Sequence, residues 1–117
     1  MTACQADETI SGYVDANSVW VLTELNGAAP QSEVIITFPE QGQIAGRGPC
    51  NRYFGTQTKP LPWFGVGPIG ATKMACENMD EEFEYFKALE QVTLAEVGET
   101  LLILSDDEGP ILTYKRR

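Results

Sequence analysis

Apolar and polar positions alternate along much of this chain, and glycine, proline and asparagine interrupt the alternation at short intervals. Residues 18–25 (SVWVLTEL), rich in β-branched and aromatic side chains, predict a first strand with apolar groups on both faces. Asn26-Gly27 ends it, since both residues tolerate the positive φ of a tight turn. Residues 33–38 (EVIITF) predict a second strand, closed by Pro39, which has no N–H to give a ladder. Gln41-Gly42 then turns the chain into a third, 43–47 (QIAGR), and the two form a hairpin. The stretch 46–55 (GRGPCNRYFG) is expected to bend sharply before another strand at about 56–59. Residues 61–72 are apolar but broken by Pro62, Gly65, Gly67 and Pro68, which predicts a short, irregular or edge strand.

The period changes once. Met79, Phe83, Phe86 and Leu89 follow at helical spacing, with Val92 near the end of the stripe, and predict an amphipathic helix over 79–92. Asn78 followed by Glu81 reads as a capping box, and Asp80, Glu81 and Glu82 place negative charge where the helix dipole favours it. Residues 93–97, 100–104 and 111–114 then predict three short strands joined by Gly98-Glu99 and by the polar turn 106–110. About seven short strands with hairpin spacing and one helix predict a mainly β, α+β domain: an antiparallel, barrel-like sheet with the helix packed on it. Residues 1–17 lack a sustained apolar period and are expected to be a flexible tether, leaving 18–117 as the domain.

Composition narrows the function. At 117 residues the chain fits one domain, and its 43% hydrophobic content suffices for one core. The longest apolar run is 101–104, so no transmembrane segment is expected. The formal charge of −9, from 17 acidic and 8 basic residues, disfavours a nucleic-acid partner. Histidine is absent, which removes imidazole-activated nucleophiles and imidazole metal ligands. No enzyme activity and no cofactor or metal is expected. Asp106, Asp107 and Glu108 read as a charged turn rather than a calcium loop.

Two motifs carry more than composition: GPCNRYFG at 48–55 and IGATKMAC at 69–76. With Trp20, Leu22 and Leu25-Asn26-Gly27 before them, and Leu102, Leu104, Leu112 and Tyr114 after the helix, they resemble the signature of the META/HslJ family across roughly residues 18–115. Pro49 departs from that pattern, in which a smaller residue is usual. The resemblance implies a barrel-like β fold with one helix, export to the bacterial envelope, frequent lipid anchoring and an association with stress. It implies no reaction.

Read from their chemistry, Gly48 and Gly55 suit backbone that a Cβ would obstruct, and Asn51 suits bonding of the bend. Tyr53 and Phe54 should face opposite sides of an extended segment, and the Thr72 hydroxyl should serve a loop carbonyl. Arg52 and Lys73 are candidates for holding an anion or pairing with carboxylates. Asn51, Arg52, Tyr53, Trp63, Phe64 and Lys73 together are the candidate binding surface.

Thr2-Ala3-Cys4 matches the end of a lipobox, so Cys4 is expected to carry a lipid anchor. Cys50 and Cys76 then remain, either as a disulfide suited to an oxidising periplasm or as two buried thiols. The expected role is a non-catalytic, stress-associated envelope domain that acts through binding an envelope protein or through stabilising the envelope. The alternative is a carrier of a small apolar ligand, with Trp63 and Phe64 at the mouth of a barrel cavity.

Overall fold

Trp20 and Leu22 point into the core from β1 (Trp20–Leu25), and strict alternation would send Glu24 after them. It does not. The pairing of β1 with the last strand shifts register between Leu22 and Glu24, so Leu25 turns inward and Glu24 stays in solvent. The computed structural model in which this is seen describes residues 8–77 and 79–117. After β1, Asn26 and Gly27 take φ of 53° and 85°, and Leu25 and Ala28 exchange backbone hydrogen bonds across the turn.

The remaining strands are β2 (Ile35–Thr37), β3 (Gln43–Arg47), β4 (Arg52–Thr56), β5 (Gly70–Ala71), β6 (Leu94–Val97), β7 (Leu101–Asp106) and β8 (Gly109–Arg116). One helix, α1 (Met79–Gln91), separates β5 from β6. All eight strands lie in one antiparallel sheet of order β5-β4-β3-β2-β1-β8-β7-β6, so β8 returns to the middle and seats itself against β1. The ladder is not closed. The segment between β4 and β5 nevertheless spans its two edges. Gln57 bridges to Val66 on the β4 side, while Phe64 donates to Thr93 O and accompanies a Trp63–Leu94 bridge beside β6. That double attachment gives the β-dominant fold its barrel-like form.

Three expectations need correction. The bend after β3 is only the turn 48–51, closed by Gly48 N donating to Asn51 O, so the next strand is Arg52–Thr56 rather than 56–59. Its glycine and asparagine mark the turn's approach and not a long irregular stretch. The inward face of α1 is also rotated from the expected stripe. Glu82, Tyr85, Ala88 and Leu89 are buried, whereas Met79 and Phe83 are 42% and 72% exposed. The second half of the expected stripe holds, with Leu89 and Val92 buried and Phe86 packed against the core; its first half does not, because polar groups at 82 and 85 find partners inside. Finally, the segment assigned to a tether is anchored at points between Glu8 and Val14: Thr9 and Ile10 are buried, Ile10 within a 3-10 turn (Ile10–Gly12), Val14 packs on the core, and Leu61 N donates to Glu8 O. Cys4 and the capping residue Asn78 lie outside the described residues.

The core between sheet and helix is filled by Trp20, Phe38, Tyr53, Phe64, Tyr85 and Tyr114 with aliphatic residues around them. Among the described residues, no helix is long and apolar enough to cross a membrane.

Candidate functional site

The two sequence motifs meet at one end of the molecule. Asn51 closes the β3–β4 turn, and its buried side chain faces the chain that leaves β5. Its Oδ1 accepts from Thr72 Oγ1 at 2.9 Å and from Met74 N at 2.7 Å. Its Nδ2 donates to Met74 O at 3.1 Å and to Glu82 Oε2 at 2.7 Å. A single amide thereby uses both donors and its carbonyl on two segments far apart in sequence.

Glu82 completes the arrangement from α1. Its other oxygen, Oε1, accepts from Cys50 N at 3.0 Å and Asn51 N at 2.6 Å. A buried carboxylate is tolerated here because three N–H groups converge on it and because it lies in the first turn of a helix. Gly48 leaves the room: a Cβ there would stand 3.0 Å from Glu82 Oε1. The Cys50–Cys76 disulfide, with Cα atoms 6.1 Å apart, ties the same two segments covalently. The pairing therefore takes the bridged alternative of the two the sequence left open.

Thr72 departs from expectation in detail. Its hydroxyl donates to Asn51 Oδ1 and accepts from Arg52 N, and serves no loop carbonyl. Nothing in the sequence marked Glu82, which stood among a run of acids explained by the helix dipole alone. Its signal is visible only once the turn and the helix are brought together.

Behind this clamp, three buried tyrosines form a chain. Tyr53 Oη is 2.9 Å from Ile35 O and 2.6 Å from Tyr85 Oη, which is 2.8 Å from Tyr114 Oη. Only Tyr53 reaches a carbonyl, so it donates there, Tyr85 donates to Tyr53, and Tyr114 donates to Tyr85. Every hydroxyl proton then has an acceptor. Burial holds all three phenols protonated well beyond the usual range. Gly46 permits the approach, since a Cβ there would lie 2.8 Å from Tyr53 Oη. The polarity of the chain predicts an order of effects. Tyr53→Phe strips Ile35 O of its donor and Tyr85 of its acceptor, and is expected to cost about 1–3 kcal/mol; Tyr114→Phe removes only a donor and is expected to cost about 1 kcal/mol. Urea denaturation of the two variants checks the order, and equal losses would contradict it.

Of the candidate binding surface, Asn51, Tyr53 and Phe64 are interior, while Arg52, Lys73 and Trp63 are exposed. Tyr53 and Phe54 do face opposite sides, Phe54 being 62% exposed. Trp63 and Phe64 line one groove together. Phe64 is buried in the core yet still contributes to the wall, and Trp63, Lys59, Pro60 and Thr93 complete this open groove of about 450 Å³. Arg47, not singled out in the sequence, lies opposite Arg52 across the β3–β4 pair. The acidic turn serves itself. Asp106 accepts from Glu108 N and Gln91 Nε2, and these bonds hold its carboxyl below the usual range. Among the described residues, no group of three or more acids or cysteines is placed to hold a metal.

The sequence model of the META domain matches residues 14–117. No curated protein matches the chain. Two solved structures are similar in fold. One is an NMR structure of a protein from Burkholderia xenovorans, 23% identical, with a TM-score of 0.69 over 100% of this chain and 94% of that one. The other, also determined by NMR, is 23% identical with a TM-score of 0.66 over 86% of this chain and 89% of its own.

Proposed function

This chain belongs to the META domain family, and from that premise we propose that it is a non-catalytic domain of the bacterial cell envelope that works through contacts of its outer surface, with a role under envelope stress. The observation that carries this reading is where the motif residues Asn51 and Thr72, joined by Glu82 from α1, spend their polar groups. Asn51 bonds both Thr72 and Glu82, and the three side chains bond the backbone of residues 50, 51, 52 and 74. Groups so fully engaged support a holding role rather than a reacting one, and a chain without histidine has no imidazole to activate a nucleophile.

The Cys50–Cys76 bridge supports an oxidising compartment. A lipid on Cys4 and an envelope protein as partner belong to the same proposal. The filled core supports a surface contact over an enclosed apolar ligand, because such a ligand would have to displace Trp20, Phe38, Tyr85 and Tyr114.

Fractionating the native host under thiol-blocking conditions tests the proposal. The chain is expected in the envelope fraction, with Cys50 and Cys76 protected from alkylation and a lipid mass on Cys4. Recovery from the cytosol with both thiols alkylated would overturn the compartment.

A further inference from the structure

The outer face of β3 and β4 carries an arrangement that the clamp does not explain. Arg47 and Arg52 are register partners. Tyr53 and Ile44 face the core, so Arg47 and Arg52 both project outward and stand side by side. Two like charges directly opposite on paired strands repel each other. Acids outnumber bases by 17 to 8 in this protein, yet among the described residues the ion pair joins Arg117 to Glu33, elsewhere on the molecule. Arg47 and Arg52 share instead a groove of about 350 Å³ with Cys50, Thr72 and Met74, and no carboxylate lines it.

We propose that this groove is a phosphate-binding site, in which the guanidinium groups of Arg47 and Arg52 grip one phosphate between them. Two planar forks borne on paired strands and lining one groove match the several oxygens of a phosphate, and the bound anion removes their mutual repulsion. The backbone below is held rigid by the Asn51–Glu82 clamp and the disulfide, so the two strands present the arginines in fixed register. Thr72 supplies wall and not a donor, since its hydroxyl proton goes to Asn51. Apolar groups flank the cationic pair. Met74 is 63% exposed in the groove itself, and Phe54 stands two residues along β4 on the same face, its ring against Gly70, where a Cβ would come within 2.5 Å. These neighbours suit the organic part of a phosphate ester, whether a soluble metabolite or a phospholipid headgroup.

This inference deepens the surface-contact reading by naming what one face holds. Its test uses purified protein, so its failure leaves the compartment experiment untouched. Amide chemical shifts are followed during titration with inorganic phosphate and with glycerol phosphate, at ionic strength fixed with chloride. In parallel, co-sedimentation is measured with vesicles of phosphatidylglycerol or of phosphatidylcholine.

Saturable shifts centred on Arg47, Arg52 and Thr72 are expected. Affinity should fall at least tenfold in the Arg47→Gln, Arg52→Gln double variant. It should stay within twofold in Lys87→Gln, Lys115→Gln, which removes the same positive charge from elsewhere. Arginine-dependent binding of phosphatidylglycerol vesicles by so acidic a chain would assign the phosphate to a lipid, whereas binding of the soluble anions alone would assign it to a metabolite. Binding that survives in the arginine double variant, or no response to phosphate or phosphatidylglycerol beyond that to chloride, would overturn the site.

Discussion

Replacing Glu82 with alanine is expected to cost about 3–4 kcal/mol, although alanine is the better helix former. The carboxylate receives Cys50 N, Asn51 N and Asn51 Nδ2, at 3.0, 2.6 and 2.7 Å. Hydrogen bonds to a charged acceptor are worth about 1.5–3 kcal/mol each, and a buried donor left unpaired carries a desolvation cost of similar size. Water can reach the half-buried Cys50 amide, which holds the total below the simple sum. Glu82→Gln should lose about 2 kcal/mol, because its single amide oxygen serves one donor set while its NH₂ opposes another. Chemical denaturation with unchanged slope would read both values. A loss below about 1 kcal/mol for Glu82→Ala would mean that the turn holds without the helix.

Removing the disulfide has a comparable expected effect by a different route. Cys50 and Cys76 are separated by 26 residues, and a loop of that length gives roughly 3–4 kcal/mol in the chain-entropy account. The double substitution Cys50→Ala, Cys76→Ala should therefore fold, with Asn51 still joining the two segments, but unfold at lower denaturant. Reductant should shift the midpoint of the parent chain and leave that of the variant unmoved. Insensitivity of the parent chain would contradict the bridge's role. Because clamp and disulfide tie the same segments, their losses should not add independently. Together they approach the whole stability of a typical domain, so the combined variant is expected to be largely unfolded.

How much of this was legible in the sequence depends on how local each signal is. β3 and the hairpin turn at Asn26-Gly27 rest on short-range chemistry and stand where they were expected. The opposite facing of Tyr53 and Phe54 follows from strand geometry alone. The face of α1 was legible only in its second half, at Phe86, Leu89 and Val92, because its first half is decided by partners remote in the chain. Tyr85 is inward because Tyr53 and Tyr114 receive and supply its hydrogen bonds, and Glu82 is inward because the 48–51 turn brings N–H groups to it. Phe83, the more hydrophobic residue, is left outside. Ile10 misled for the same reason: one apolar residue in a polar run gives no period, yet it is enough to dock the segment. The β1 register shift leaves no trace in composition either, and explains why Leu25 rather than Glu24 is buried.

The candidate site divides along the same line. Asn51 and Tyr53 were visible as structural residues of the motif, yet they also stood in the candidate binding surface, because the sequence does not show that both side chains are buried. Arg47 showed the converse. It lay in an ordinary strand and gained meaning only from the register that sets it opposite Arg52.

The central claim is that the family signature acts as an internal clamp joining the β3–β4 turn to α1. A double-mutant cycle on Asn51→Ala and Glu82→Ala, measured by urea denaturation under oxidising conditions, tests it most directly. The clamp predicts a coupling energy above about 1 kcal/mol, because the Asn51 Nδ2–Glu82 Oε2 bond is lost in either single substitution. Strict additivity of the two losses would contradict it, and would mean that Asn51 and Glu82 act on the fold independently.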